Sequence, residues 1–210
     1  YFVVRALMAG FTRLWTRMSI EGRGNIPTSG PYVLAPVHRS NMDTPIASCL
    51  TRRRLRFMGK DSLWKKRTAA WLLSSLGGFP VARGTADREA LKRCIAVLEG
   101  GEPLVLFPEG ERKSGDVVQP LFDGAAYVAL KAGAPIIPVG IGGYERVMPK
   151  GAKLIYPRKV HVIVGAPITG PASTGSRVPR SAVAEVTAEL HATLQRLFDE
   201  AEARAGSRRA

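Results

Sequence analysis

The apolar positions along the chain alternate between helical stripes and short continuous runs. Over residues 1–18, Val4, Leu7, Phe11, Leu14 and Met18 recur three and four places apart, with Val3, Met8 and Trp15 beside them and Arg5, Arg13 and Arg17 opposite. That is the period of an amphipathic helix. A short strand and a Gly/Pro-rich loop follow over 19–31, and the apolar run 32–37 is expected to be a buried strand. The pattern then predicts a helix over 44–50, a strand over 55–58, and one helix capped by Asp61 or Ser62 running to 76. Residues 79–82 read as extended, and Asp87 caps a helix with the stripe Leu91, Cys94, Ile95 and Leu98. Beyond it come a strand at 104–107, a helix over 124–131 ending at Gly133, and a buried strand at 135–141. Two apolar runs within 152–168, split by Tyr156-Pro157-Arg158-Lys159, predict antiparallel strands at one edge of a sheet. After a loop over 169–180, Val183, Val186, Leu190, Leu194 and Leu197 mark a last amphipathic helix that frays from Gly206.

Strands alternating with helices place the chain in the α/β class, as a single domain with a mixed, mostly parallel sheet flanked by helices. The expected division is 1–20 as an amphipathic helix at a membrane interface and 21–205 as the globular domain. With 210 residues, 45% of them hydrophobic, the chain is long enough for a full core. The stripe at 1–18 fits either a membrane surface or a helix docked on its own domain. Trp64 and Trp71 among Lys65, Lys66 and Arg67 make the same choice: an interfacial helix, or a buried tryptophan pair with lysines reaching outward. No apolar stretch approaches the roughly 18–20 residues that span a bilayer, and the N-terminus lacks the layout of a cleavable signal. Beginning at Tyr1, the sequence is read as lacking a short leader.

Charge narrows the partners. A formal net charge of +14 calls for an anionic neighbour: nucleic acid, an anionic membrane, or phosphorylated and CoA-like substrates. Nucleic acid is disfavoured, because aromatic and basic residues sit together on amphipathic stretches without a recognition signature. Arg52-Arg53-Arg54 reads as a solvated charge run. Cys49 and Cys94 stand far apart with no metal-like spacing, so small core thiols in a reducing compartment are expected, with no metal site.

Candidate chemistry lies at two strand ends. In the first, His38 follows the run 32–37 and Asp43 comes five places later, so a turn through Arg39, Ser40 and Asn41 brings the carboxylate to one imidazole nitrogen and leaves the other for a hydroxyl proton. No serine completes a triad, which suits direct attack by a substrate alcohol. An Asp at this spacing from some His arises by chance about one time in ten in such a chain, so the pair alone is equally a strand-end histidine satisfied by its turn. The second end is Pro108-Glu109-Gly110 followed by Arg112 and Lys113. There Glu109 reads as an ion-pair partner of Arg112 or an acceptor for a substrate hydroxyl, and Arg112 as a receiver of phosphate. Arg83, after the Gly-containing stretch 77–82, offers a second guanidinium fork. His161, alternating with apolar neighbours, reads as a satisfied structural residue and His191 as exposed and inert.

In their order and approximate spacing across residues 22–165, these stretches resemble the lysophospholipid and glycerol-phosphate acyltransferase family, most closely its bacterial 1-acyl-sn-glycerol-3-phosphate acyltransferases. HRSNMD at 38–43 is similar to the family's H-x4-D block, GGFPVAR at 77–83 to its second block, FPEGER at 107–112 to its F-P-E-G-T-R block, and APIIPV at 134–139 to its fourth. The resemblance implies a glycerol-3-phosphate acyltransferase-like fold, His38 as general base, Asp43 as its orienting partner, and Arg83, Glu109, Gly110 and Arg112 as residues that bind acceptor phosphate and glycerol. It implies no metal or other cofactor: the donor is an acyl thioester, on CoA or acyl carrier protein, and the acceptor a membrane lipid. Glu111 departs from the family's usual Thr and Lys113 from its usual Ser, so Glu111 is expected to be turned away or paired. The expected activity is acylation of 1-acyl-glycerol 3-phosphate at the cytoplasmic side of the cell membrane. Glycerol 3-phosphate or another phospho- or glycolipid is the alternative acceptor. A non-catalytic anionic-lipid-binding module is the alternative class, and a metal hydrolase lacks further clustered ligands.

Overall fold

The computed structural model describes residues 2–40, 42–81, 88–149, 152, 154–171 and 177–206. The predicted positions Asn41, Arg83 and Asp87 lie outside the described residues. Helix α1 (Phe2–Thr16) precedes β1 (Ser19–Glu21), β2 (Val33–Pro36), α2 (Asp43–Ser48), β3 (Arg56–Lys60), α3 (Arg67–Ser75), β4 (Gly78–Val81), α4 (Arg88–Glu99), β5 (Leu104–Val105), α5 (Gly124–Ala132), β6 (Ile136–Gly142), β7 (His161–Val164) and α6 (Arg180–Ala205). Among the described residues the strands form one sheet in the order β1-β7-β6-β2-β5-β3-β4. Every neighbouring pair is parallel except β6 with β7. β2 and β6 are buried at every residue, as their unbroken apolar sequences require of strands covered on both faces.

Helix α6 lies directly on β6. A Cβ on Gly140 or Gly142 would fall 2.4 Å from the backbone of Leu197 or 2.1 Å from that of Ala201, so two glycines on one strand face bring the helix into contact with the sheet. All five predicted stripe residues of α6 are buried.

Three expectations are corrected. The helix expected from 61 to 76 is a 3₁₀ turn, Asp61–Trp64, followed separately by α3, and the chain folds back so that the Trp64 indole N–H donates to Ser74 Oγ at 3.0 Å. Among the described residues of 152–168, only His161–Val164 forms a strand, and it lies between β1 and β6. Leu154 is instead exposed, and the 154–156 segment is tied to a turn by the Tyr156 N–H donating to Val147 O at 2.8 Å. The arginines at 53 and 54 are not merely solvated: Arg53 donates to the carbonyls of Gly30 and Gly101, and Arg54 to those of Ser74 and Ser75 at the end of α3.

Helix α1 is docked by its polar side. Ala9, Thr12 and Thr16 are buried, whereas Phe2, Leu7 and Leu14 are 72%, 71% and 83% exposed. Arg5 donates to the carbonyls of Ser48 (3.0 Å) and Thr51, Arg13 to Cys49 (2.7 Å), and Arg23 to Leu50 (2.9 Å), so three arginines cover four consecutive carbonyls at and beyond the end of α2. Cations are favoured there because the unsatisfied C=O groups carry the helix's negative end. Crowding of Arg13, Arg52 and Arg5 adds to burial in lowering the Arg23 pKa. The expected boundary between residues 20 and 21 falls inside β1.

Candidate active site

The site forms where parallel strands β2 and β5 end side by side, the edge at which open α/β sheets receive ligands. His38 leaves β2 with its backbone N–H donating to Glu109 Oε2 at 2.9 Å, and its carbonyl accepts from the Lys113 N–H at 2.9 Å. Phe107 stacks on the imidazole, with ring centroids 4.1 Å apart at 20°. The ring is thus stacked on Phe107 and the residue's backbone hydrogen-bonded at both N–H and carbonyl before any substrate arrives.

Asp43, the first residue of α2, is hydrogen-bonded through Oδ2 to His38 Nδ1. It also accepts the Ser40 N–H at 3.2 and 3.3 Å. Burial pushes its carboxyl up to about 6, against the opposing pull of His38 and of the Ser40 and Arg39 backbone N–H groups. With Nδ1 committed to Asp43, Nε2 is the nitrogen His38 has for the cavity it lines. The Ser40 hydroxyl donates to Met148 O at 3.2 Å and the Ser48 hydroxyl to Pro45 O at 2.6 Å, so neither serine is engaged by the histidine.

Beneath this pair lies an ion pair that the sequence did not disclose. Arg39 Nη1 lies 2.7 Å from both carboxylate oxygens of Glu109, and neither side chain is exposed. Arg39 also donates to the carbonyls of His38, Gly115 and Val117 and stands 5.1 Å from the Phe198 ring centroid. Glu109 further accepts the Gln119 N–H at 3.1 Å. Two adjacent strand ends bearing His-Arg and Pro-Glu were the available signal for this pair. The fully buried Tyr144 hydroxyl is held well above its ordinary pKa by burial and then by Asp43, so it stays neutral.

The predicted residues therefore separate. His38, Asp43 and Arg112 belong to one site, with His38 and Arg112 both lining its cavity. Glu109 does not pair with Arg112, and its carboxylate is unavailable to a substrate hydroxyl because Arg39 and two backbone N–H groups occupy it from inside. Gly110 is in the left-handed region (φ 72°), and a Cβ there would lie 2.6 Å from the Phe122 ring, so it shapes the turn between Glu109 and Arg112. Arg112 makes no hydrogen bond or ion pair with any described residue. Glu111 also lines the cavity and is paired with Lys113 at 2.8 Å, the neutralisation its position demands. His161 is only half satisfied: Nδ1 lies 2.7 Å from Ser19 Oγ, whereas buried Nε2, 2.9 Å from Glu21, makes no hydrogen bond with a described residue. His191 is not exposed and inert: half-buried on α6, it donates through Nε2 to Val118 O at 3.0 Å and helps hold the loop that carries Arg39's carbonyl partners.

The cavity measures about 490 Å³, within the range of small-ligand sites. Met8, Phe57, Met58, Leu73 and Leu76 give it an apolar interior, and Arg5, Glu111 and Arg112 supply charge.

The sequence model of the acyltransferase family matches residues 17–142. A chloroplastic 1-acyl-sn-glycerol-3-phosphate acyltransferase of Arabidopsis thaliana is 30% identical over 158 residues, which are 73% of this chain and 44% of that protein. The 1-acyl-sn-glycerol-3-phosphate acyltransferase of Bacillus subtilis is 27% identical over 152 residues, covering 72% of this chain and 73% of that one. This chain spans about half the length of the plant relatives it matches, 49% and 44%. The crystal structure of PlsC, the 1-acyl-sn-glycerophosphate acyltransferase of Thermotoga maritima, superposes with a TM-score of 0.78 at 25% identity, over 99% of this chain and 81% of that one.

Proposed function

We propose, because this chain belongs to the acyltransferase family, that it moves a fatty acyl group from an acyl thioester to the free hydroxyl of 1-acyl-glycerol 3-phosphate, giving phosphatidic acid. The observation that carries this reading is a His38–Asp43 pair, with Asp43 buried and His38 lining a cavity that is apolar inside and bears a guanidinium, Arg112, on its wall. The names of the matched relatives support the acceptor.

In this mechanism His38 Nε2 takes the proton of the acceptor hydroxyl as its oxygen attacks the thioester carbonyl carbon. Asp43 stabilises the imidazolium that forms. Collapse of the tetrahedral intermediate breaks the C–S bond, and Nε2 returns the proton to the departing thiolate, so ester and free thiol leave together. A charged imidazolium is needed only during the reaction, and that is when an ionised Asp43 contributes most. The acceptor phosphate meets Arg112, and by family resemblance Arg83, while Glu109 and Gly110 act by fixing the turn that presents Arg112. Acyl-CoA and acyl carrier protein are both admissible donors.

The chain works at a membrane surface. Its outward apolar face on α1, the 72% exposed Trp71 on α3 and a net charge of +14 suit the anionic cytoplasmic leaflet from which a lipid acceptor would enter. The test is direct product analysis: purified protein, lysophosphatidate in mixed micelles and either acyl donor should yield phosphatidate by mass spectrometry. If neither donor gives it, and glycerol 3-phosphate and lysoglycolipids are not acylated either, the acyltransferase reading falls.

A further inference from the structure

The permanent charges that line the cavity do not balance. Among the described residues they belong to Arg5, Glu111 and Arg112. The Glu111 carboxylate is already paired with Lys113 at 2.8 Å. Arg112 makes no hydrogen bond or ion pair with any described residue. Arg5 is bonded, but only to the neutral carbonyls of Ser48 and Thr51, both through Nη2, and its buried Nε has no partner among the described residues. Two guanidinium charges therefore share one cavity without a carboxylate of their own.

The two cations arrive from different parts of the fold. His38 and Arg112 reach the cavity from the ends of β2 and β5, whereas Arg5 reaches it from α1, with Met8 one turn further along the same helix face. The opposite side of α1 is the apolar one, where Leu7 and Leu14 are 71% and 83% exposed. The helix that would lie against a lipid surface thus places a cation inside the site. Its bonds to Ser48 and Thr51 hold the guanidinium in position without neutralising it, so the group is oriented before an anion arrives.

We propose that Arg5 is a specificity-determining residue that meets the acceptor's phosphate together with Arg112 and selects a phosphomonoester over a phosphodiester. The proposal rests on the acyl-transfer reading above, in which the acceptor is lysophosphatidate. At neutral pH a phosphomonoester carries a charge of about −1.5 to −2, because its second pKa is about 6. That matches two uncompensated guanidinium groups. A phosphodiester carries a single negative charge and leaves one of the two cations unmatched, and its second ester group takes away an oxygen that a guanidinium fork would otherwise bind.

The experiment measures kcat/KM for lysophosphatidate and for the same lipid with its phosphate methylated, and KM for acyl-CoA, in uncharged detergent micelles, where attraction to an anionic surface plays no part. Wild type is compared with Arg5→Gln, Arg5→Lys and Arg13→Gln; Arg13 also holds a carbonyl at the end of α2, that of Cys49, but does not line the cavity. Arg5→Gln should lower kcat/KM for lysophosphatidate about 10- to 100-fold, the loss of one charge-assisted hydrogen bond, and lower that for the methyl diester far less, so that the preference for the monoester collapses. Arg5→Lys, which keeps the charge but not the fork, should fall between, and Arg13→Gln should keep the wild-type preference. A parallel fall with both acceptors would make Arg5 a mere support of α2 and overturn the proposal, as would an equal loss of preference in Arg13→Gln. A change confined to KM for acyl-CoA, whose phosphates offer the same chemistry, overturns it too. Should Arg5→Gln fail to fold, Arg5→Lys decides alone, and a preference equal to that of wild type overturns the proposal. An active wild type whose preference survives in Arg5→Gln sinks only the role of Arg5, whereas a wild type that acylates neither lipid sinks the reading on which it rests.

Discussion

At position 43 a carboxylate is held where water does not reach it, beside the imidazole whose charge it has to balance. Its raised pKa has two consequences of opposite sign. For chemistry, the dyad has to be free of its extra proton, so kcat should fall as pH drops through about 6. For stability, the folded pKa lies above the ordinary 3.8, so between those values the folded state binds more protons than the unfolded one. The contribution is fully present below about 3.8 and is lost as pH rises through about 6. Relative to Asp43→Asn, wild type should therefore lose stability over that window while turning over about 10²- to 10⁴-fold faster at neutral pH. Urea midpoints of the two proteins across the window test this, and a pH-independent difference between them would count against it. The Arg39–Glu109 pair predicts a different outcome. Glu109→Gln leaves a guanidinium buried without its counter-charge and should cost about 3–5 kcal/mol in denaturant unfolding; near-native stability would mean that the pair is not the support described. His38 and Asp43 were legible in the sequence because one short turn joins them. Arg39 and Glu109, 70 residues apart, were not, since only the adjacency of β2 and β5 brings them together.

Among the elements, α1 shows how far periodicity reaches. The spacing of its apolar residues gave the stripe and its length, but not which side faces the domain. That is decided by the carbonyls of residues 48–51, which take Arg5, Arg13 and Arg23 and so turn the apolar stripe outward. Two of the three arginines expected to meet lipid headgroups, Arg5 and Arg13, are therefore spent on the protein itself, and Arg5 also lines the cavity that His38 faces. Deleting α1 would damage the site, so the sharper probe is Leu7→Ser with Leu14→Ser, both side chains pointing away from the domain. If this exposed face is the one that enters a membrane, loss of its two leucines should weaken binding to anionic vesicles at least tenfold, read by vesicle co-sedimentation, with activity on detergent-dispersed acceptor kept. Unaltered sedimentation would place another surface against the membrane. The failed expectation at 152–168 has the same origin: both runs are apolar, but only His161–Val164 finds partner strands, β1 and β6, with matching register.

For the whole molecule, alternation of strands and helices was enough to place the chain in the α/β class with a mostly parallel sheet, because each apolar run is short and bounded. The order of strands was not written there. It depends on which crossovers pack, and it is that order which lines up His38, Phe107, Gly59 and Gly78 along one cavity. The net charge of +14 acts at this scale too. Raising salt from about 0.1 M to 1 M shortens the screening length from about 10 Å to 3 Å, so vesicle binding should weaken steeply while the contribution of the apolar face persists. Binding indifferent to salt would remove the electrostatic part of the account. The central claim, that a thioester is attacked directly by an acceptor hydroxyl activated at His38, is tested most directly by thiol release from acyl-CoA or acyl carrier protein, with and without lysophosphatidate, in wild type and His38→Ala. Release should require the acceptor and should drop about 10²- to 10⁴-fold in the variant; release that persists at the wild-type rate in a folded His38→Ala protein would contradict it.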